Sequence, residues 1–546
     1  MALLLSACDE DTDSAVGPSA TVSAAPTTPG PTVEPTETST PLPGADETSA
    51  PAFAPDDVVL TIAVQEAATL DPMRIEDPAA VLIARQLFEG LTSWDPVRER
   101  VVPAAAESWK ISKKGSVFTF RLRSGMSFHD GTPITAQDFK FAFDRIADKN
   151  SASNIAYTLE RIEGFNATNQ LGTSDSLKGV EAVNDRTLEI RLKEPFYELP
   201  VILTHPGLVP VPADQVRDVD AFLTRPIGNG PFQIAGDWSP GDTLELKSYP
   251  DFYESAGVDG LRLVPYDDAA ASWVPFVTGS LDVAEIPADR IDVAVDRYGD
   301  RGVLPLLAGY YYGFNLKSKN LKNLNLRKAI NRAIDRRSIA RTIYNGTLQA
   351  PRGIVPEGMP GFADNACGKL CRRSGAARLG SRVPQKMRNV RIEYTEGQPH
   401  QKVARAVATD LEEIGLDVKI KAYKFPEYLR QLRDENSQMY RFGWLAEYPS
   451  PSVFLTSLFS SDSPDNHSQF SSSKVDNLLR KAAAEADDER RQELYLRAEK
   501  LILKKVPIAP LGTFVTHWAA ADNVEGIVWD TMGGFDAVDV TLSDEE

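Results

Sequence analysis

The sequence predicts a mixed α/β protein of two or three domains, and two observations carry that reading. The chain has 546 residues, whereas single cores stop growing near ~250–300 residues. Strand-like and helix-like segments also alternate along it without internal repeats. One example is the helix from Gln401 to Ile414, which passes through Gly415 into the strand Asp417–Ala422. A composition of 42% hydrophobic and 25% charged residues is that of an ordinary soluble globular chain.

Taken in order, regular structure starts at Val58-Val59-Leu60-Thr61-Ile62-Ala63-Val64, a β-branched run that reads as a buried strand. Pro78 to Leu91 reads as a helix ended by Gly90, and Val117–Leu122 alternates as a half-buried strand does. Thr135 suits the N-cap of a helix from Ala136 to Ala147, whose Phe139, Ala142, Phe143 and Ile146 form one apolar face. Thr187–Leu192 and Thr243–Tyr249 read as a strand pair, and Asn325 to about Tyr344 as one helix. Lys474 to Lys504 reads as two charged helices.

Lys and Arg total 59 against 77 Asp and Glu, for a net charge of −18. Eight of the acids lie between Asp9 and Ala50, a stretch without Lys or Arg, so the rest of the chain carries about −10. No cationic footprint exists to neutralise a phosphate backbone, so nucleic acid is not an expected partner. Residues 9–55 are almost entirely Ala, Ser, Thr, Pro, Gly, Asp and Glu. They hold too little apolar surface to offset ordering entropy and read as a disordered tether. Its reach is roughly 40 Å as a coil.

Ahead of the tether, Leu3-Leu4-Leu5-Ser6-Ala7-Cys8 resembles the bacterial lipobox, with small residues at Ser6 and Ala7 for a signal peptidase and Cys8 as the acylated thiol. The alternative is a chance apolar start with a free cysteine. The basic leader and most of the apolar stretch before such a box are missing, so 1–8 is expected to be a truncated signal. No other run approaches the ~18 apolar residues needed to span a bilayer. The expectation is a lipid-anchored protein on the outer face of the cytoplasmic membrane. In that setting an unpaired couple of thiols is disfavoured. Two sulfurs without histidine make a poor zinc site, so Cys367 and Cys371 read as a small disulfide.

Catalytic signatures are lacking. There is no G-x-S-x-G elbow, no H-E-x-x-H and no Walker A loop. Gly228-Asn229-Gly230 lacks the third glycine of a dinucleotide fingerprint and leads into a strand. His129, His205, His400, His467 and His517 are scattered without metal-ligand spacing. No cofactor, metal or catalytic residue is expected, although a secreted hydrolase built on paired carboxylates stays open.

Several segments resemble the extracytoplasmic solute-binding proteins of family 5, which include the oligopeptide- and dipeptide-binding lipoproteins of ABC importers. They are Val102–Trp109 with Phe118–Gly125 and Phe128–Asp138; Pro226–Phe232; Gly279–Ala284; Tyr312–Leu316 with Leu326–Asp335; Gly443–Pro449; and Val506–Leu511. They fall in the family's order from about Val58 to the C-terminus. The resemblance implies a two-lobed periplasmic-binding-protein-like fold (type II, cluster C) with an extra domain inserted in the first lobe. Lobe I would be 56–88, 226–308 and 511–546, the extra domain 89–225 and lobe II 309–510, with crossings near 308–315 and 510.

It also implies a peptide lying extended between closing lobes, its main chain added to exposed strand edges. The matching edge is Gly443, Trp444 and Leu445, followed by Glu447 where relatives carry an Asp that meets the peptide's α-amino group. Gln65 and Glu66 match the other edge, and Tyr312, Phe314 and Asn315 would line the cleft at the crossing. The expected partners are a peptide and the permease subunits of an importer, for a monomer that touches the membrane only through its anchor. A metal chelate or an oligosaccharide is the alternative ligand. The segment holding Lys369, Arg372, Arg373, Arg378, Arg382, Lys386 and Arg388 departs from the family. It reads as a basic surface loop, or as a contact for a ligand carboxylate or the permease.

Overall fold

The fold was obtained as a computed structural model, which describes residues 52–75, 77–217 and 219–543. Cys8 and most of the expected tether lie outside the described residues. Among these residues no helix is long and apolar enough to cross a membrane.

Three sheets organise the chain. In the first, spatial order runs Trp518–Ala520, Val283–Glu285, Val59–Val64, Gly260–Pro265, Leu244–Ser248 and Phe232–Ile234. Val59–Val64 is central, parallel to Gly260–Pro265 along its whole length. Leu60, Ile62, Leu261, Leu263 and Val283 form a core with the helix Pro78–Leu87. Asp77 caps that helix through Ala80 N (2.7 Å). The helix ends earlier than Gly90 because Gly230 N binds the Leu87 carbonyl (2.9 Å), and the chain there is pressed against Gly228.

The second sheet orders Leu348–Gln349, Ile508–Val515, Pro305–Phe314, Met439–Leu445, Asn389–Thr395 and Asp417–Tyr423. It is covered on both faces. Tyr310, Tyr312 and Phe314 pack with the helices Leu324–Ala333 and His400–Glu412 on one side. Leu307, Tyr311, Phe442 and Trp444 pack with Ser452–Phe459 and Asp488–Lys505 on the other. The helix expected over 325–344 is two, Leu324–Ala333 and Arg336–Thr342. Asp335 caps the second through Ser338 N (3.1 Å), while buried Arg336 donates to the Asn331 and Pro510 carbonyls (2.8 and 2.6 Å) and holds the break in place.

Between residues 88 and 232 lies a domain with its own sheet, ordered Ala106–Ser112, Val117–Leu122, Thr187–Arg191 and Val180–Asn184. Ala136–Ala147 packs Phe139 and Phe143 against Phe118 and Phe120. Thr135 forms a capping box with Asp138. The strands at 187–191 and 244–248 therefore do not pair, contrary to the sequence reading. The first is opposite Phe120 at Leu188, the second opposite Leu261 at Leu246. Alternation marks a strand but does not name its partner.

The inserted domain is bound firmly to the first lobe. Arg145 clamps the buried Asp71 with two bonds (2.9 and 2.6 Å), and His129 exchanges bonds with Gly228 and Gly230. The chain crosses between lobes at about 302–305 and 515–518, where Gly302 bridges Trp518 and Thr516 N reaches the Leu304 carbonyl (2.8 Å). This is several residues outside the expected 308–315 and 510, because Pro305–Phe314 and Ile508–Val515 continue as paired strands of the second sheet.

Two expectations follow. Thr135→Ala should cost about 1 kcal/mol through loss of the cap, measured as a lowered denaturant midpoint. Gly228→Ala should cost about 3 kcal/mol or more, since a Cβ there overlaps the Leu87 carbonyl; an unchanged melting temperature would refute that packing.

Candidate functional site between the lobes

The candidate site is built on the Met439–Leu445 strand because of how it is paired. Ala446 N donates to Leu307 O (2.7 Å), so the main-chain groups of Phe442, Trp444 and Ala446 face the Pro305–Phe314 strand. Strict alternation aims those of Arg441, Gly443 and Leu445 the other way. On that side Asn389–Thr395 pairs only with Met439 and Tyr440. Tyr428 OH takes the Arg441 carbonyl (2.5 Å). Gly443 and Leu445 are thus left, among the described residues, without a strand on that side. A free edge of this kind accepts an added extended chain.

The edge ends at the crossing. Leu445 is opposite Ala308, and Leu307 N binds the Thr531 carbonyl of the C-terminal segment (2.8 Å). Two residues on, half-buried Glu447 sits with its carboxyl pushed up to about 7, by burial first and by the charge of Asp465 in the same direction. It has no ion pair among the described residues.

Arg441 shares the strand face of Gly443. Its guanidinium lies 5.1 Å from the Tyr310 ring centroid, is almost wholly buried and has no carboxylate partner among the described residues. Its Nε makes no hydrogen bond. His400 stacks nearby on Tyr310, held neutral by burial and by the Arg441 charge, which bring its pKa down to about 3. A Gly443 Cβ would stand in ordinary contact with the Gly309 carbonyl (3.7 Å) and an Arg441 terminal nitrogen (3.9 Å), so the buried Gly443 position would admit a methyl group without a clash. Sequence reasoning missed Arg441; the available signal was a lone cation inside the otherwise uncharged run Met439–Leu445.

On the first lobe, Gln65 and Glu66 are exposed just past the Val59–Val64 strand. That strand pairs with Val283–Glu285 only at Ile62, so its end is also partly open. Glu285, opposite Trp518 beside the crossing, is pushed up to about 7 by burial.

Other expected site residues lie elsewhere. Trp444 is 6% exposed and stacks on Phe442 inside the core, because it is on the opposite strand face from Gly443. Tyr312 and Phe314 are fully buried against the Leu324–Ala333 helix and its neighbours, so neither side chain lines a cleft. Asn315 is buried too, holding the Glu435 and Ser437 carbonyls (2.8 and 3.0 Å). Cys367 and Cys371 are joined by a disulfide, with Cα atoms 5.8 Å apart. In the basic segment Arg373 pairs with Asp335, Asp410 and Glu413, and Arg388 donates to the Val383 carbonyl. Lys369, Arg372, Arg378, Arg382 and Lys386 are exposed, away from the strand edge in sequence and in sheet order. Among the described residues no cluster of His, Cys, Asp or Glu could hold a metal.

Comparison with known proteins agrees with this architecture. Residues 100–466 match the bacterial extracellular solute-binding proteins, family 5 Middle. The oligopeptide-binding protein OppA of Bacillus subtilis is 28% identical, over 85% of this chain and 89% of its own length. The probable deoxycholate-binding periplasmic protein YgiS of Escherichia coli is 29% identical, over 86% and 90%. Among solved structures, HbpA2 from Haemophilus parasuis has the same two-lobed fold, with a TM-score of 0.78 at 23% identity over 89% of this chain and 100% of that one. These are substrate-binding transport proteins, not enzymes. A two-lobed chain whose partly unpaired strand edge runs out at the crossing, matched along this length, belongs to the family 5 bacterial extracellular solute-binding proteins.

Proposed function

We propose that the protein captures oligopeptides between its lobes and delivers them to the permease of an ABC importer from a lipid anchor on the outer face of the membrane. The carrying observation is the edge at Gly443 and Leu445, which has no partner strand among the described residues and runs toward Glu447, whose carboxyl has no ion pair among them. An extended peptide would pair its main chain with Gly443 and Leu445 and place its α-ammonium on Glu447. Main-chain pairing reads no side chains, so many sequences would fit. Arg441 supplies a compensating positive charge for a ligand carboxylate, with neutral His400 as a hydrogen-bonding neighbour. Gln65 and Glu66 form the facing edge. Support comes from the relatives whose names specify oligopeptide binding. The division expected from the sequence, lobe I at 56–88, 226–308 and 511–546, the extra domain at 89–225 and lobe II at 309–510, then shifts at the crossings to about 302–305 and 515–518. Cys8 carries the anchor and the 9–55 tether spans the headgroups.

A second reading has one specific support: a relative of the same identity is named for deoxycholate. In that case the carboxylate of a bile acid would address Arg441 and leave Glu447 idle. A thermal-shift screen separates the two, because bound ligand stabilises by RT ln(1 + [L]/Kd).

Glu447→Gln should weaken a free-amine tripeptide by ~2–5 kcal/mol, the usual effect of removing one member of a buried charge pair, and leave its N-acetylated form nearly unchanged. Equal losses in calorimetry would refute the ammonium contact. The pH profile should follow from the raised carboxyl. In the empty protein Glu447 takes up a proton below pH 7, and its neutral form does not attract an ammonium. Affinity should then fall as pH drops below 7, approaching about tenfold per unit. It should fall again above ~8, where the peptide amine deprotonates. A flat profile between pH 5 and 7 would contradict the assignment.

A further inference from the structure

We propose that Glu198 of the inserted domain is a positioning residue for ligand recognition: it pins the loop that carries Glu447, so that Glu447 meets the ligand's ammonium only while the inserted domain is docked on lobe II. The inference rests on the reading of Glu447 given above.

Glu198 is 3% exposed, and both its oxygens are used by lobe II. Oε1 accepts from Ser450 Oγ (2.5 Å) and Oε2 from Tyr495 OH (2.5 Å), with Arg491 Nε 3.8 Å away. Beside it Tyr197 N binds the Ala483 carbonyl (2.9 Å). Tyr448 packs against the cores of both bodies at once.

This contact acts on the recognition loop because of where Ser450 lies. Glu447 is suspended between two anchors. One is Ala446 N on the Leu307 carbonyl, from its own sheet. The other is Ser450, whose turn is closed by its N on the Tyr448 carbonyl (2.8 Å) and by Ser452 N on its Oγ (3.1 Å). Ser450 Oγ donates to Glu198, so the second anchor belongs to the inserted domain. That domain is fastened to the first lobe through the Arg145–Asp71 and Asn229–Glu89 bonds. Rotation about the two crossing strands would therefore separate Glu198 from Ser450 and Tyr495. Burying a carboxylate has a desolvation cost that its donors largely offset, so such a contact can open and close at little net free energy.

The test measures dissociation constants of a free-amine tripeptide and its N-acetyl form for wild type, Glu198→Gln, Glu447→Gln and the double variant. Glu198→Gln should weaken the free-amine peptide about tenfold, the scale of one hydrogen bond to a charged group. The acetylated peptide should change by less than about twofold, and the double variant should bind no worse than Glu447→Gln alone. Equal losses for both peptides, or additive losses in the double variant, would show a merely structural role and overturn the proposal. If Glu447→Gln discriminates between the peptides and Glu198→Gln does not, the positioning role alone fails. If Glu447→Gln does not discriminate, the ammonium reading fails and takes this inference with it. Should Glu198→Gln not fold, Ser450→Ala breaks the same contact from the other side and is judged by the same comparison.

Discussion

The antiparallel pairing of Pro305–Phe314 with Met439–Leu445 is the constraint on which the rest depends. The single bond from Ala446 N to the Leu307 carbonyl fixes which main-chain groups of the second strand are consumed inside the sheet and which are left over. A slip of one residue would exchange the two faces, turning Trp444 and Phe442 out of their core. The same pairing brings the free edge to the crossing, because Pro305–Phe314 is itself one of the two strands joining the lobes. Fold and site are thus set by one register.

The distribution of buried charge separates scaffold from site. Asp71 and Arg145 satisfy each other with two bonds, and Arg85 is held between Asp530 and Asp536. Arg327 and Arg336 are pulled down to about 10 and 9 by burial, but their donors are taken up by backbone carbonyls. Isolated buried charges are costly, by several kcal/mol each. Arg441, inside the Met439–Leu445 strand, and Glu447, two residues past its end, nevertheless lack ion-pair partners among the described residues. Groups kept in that condition are the ones a ligand of opposite charge would satisfy.

The inserted domain gains a role from its geometry. It is bound to one lobe by Arg145, His129 and Asn229 and touches the other through Glu198 and Tyr197. A body held in this way can report the relative position of the lobes to whatever its free side contacts, here the turn after Glu447.

Much of the architecture was legible in the sequence. Alternation and capping chemistry located Val117–Leu122 and Ala136–Ala147 to the residue, because those signals are local: a period of two, a period of 3.6, and a Thr at the N-cap. Glu447 and Gly443 entered as candidates only through resemblance to a known segment. Partnership was not. That Thr187–Arg191 and Leu244–Ser248 belong to different sheets, that Trp444, Tyr312 and Phe314 face cores, and that Arg441 has no ion pair among the described residues depend on which strands and helices close over each face. The sequence by itself located most of the elements and the family of the chain, since these follow from short-range periodicity and contiguous motifs. Only the tertiary structure decided which edge stays open, which charges go unpaired and which domain holds the Glu447 turn, since each depends on contacts between residues hundreds of positions apart.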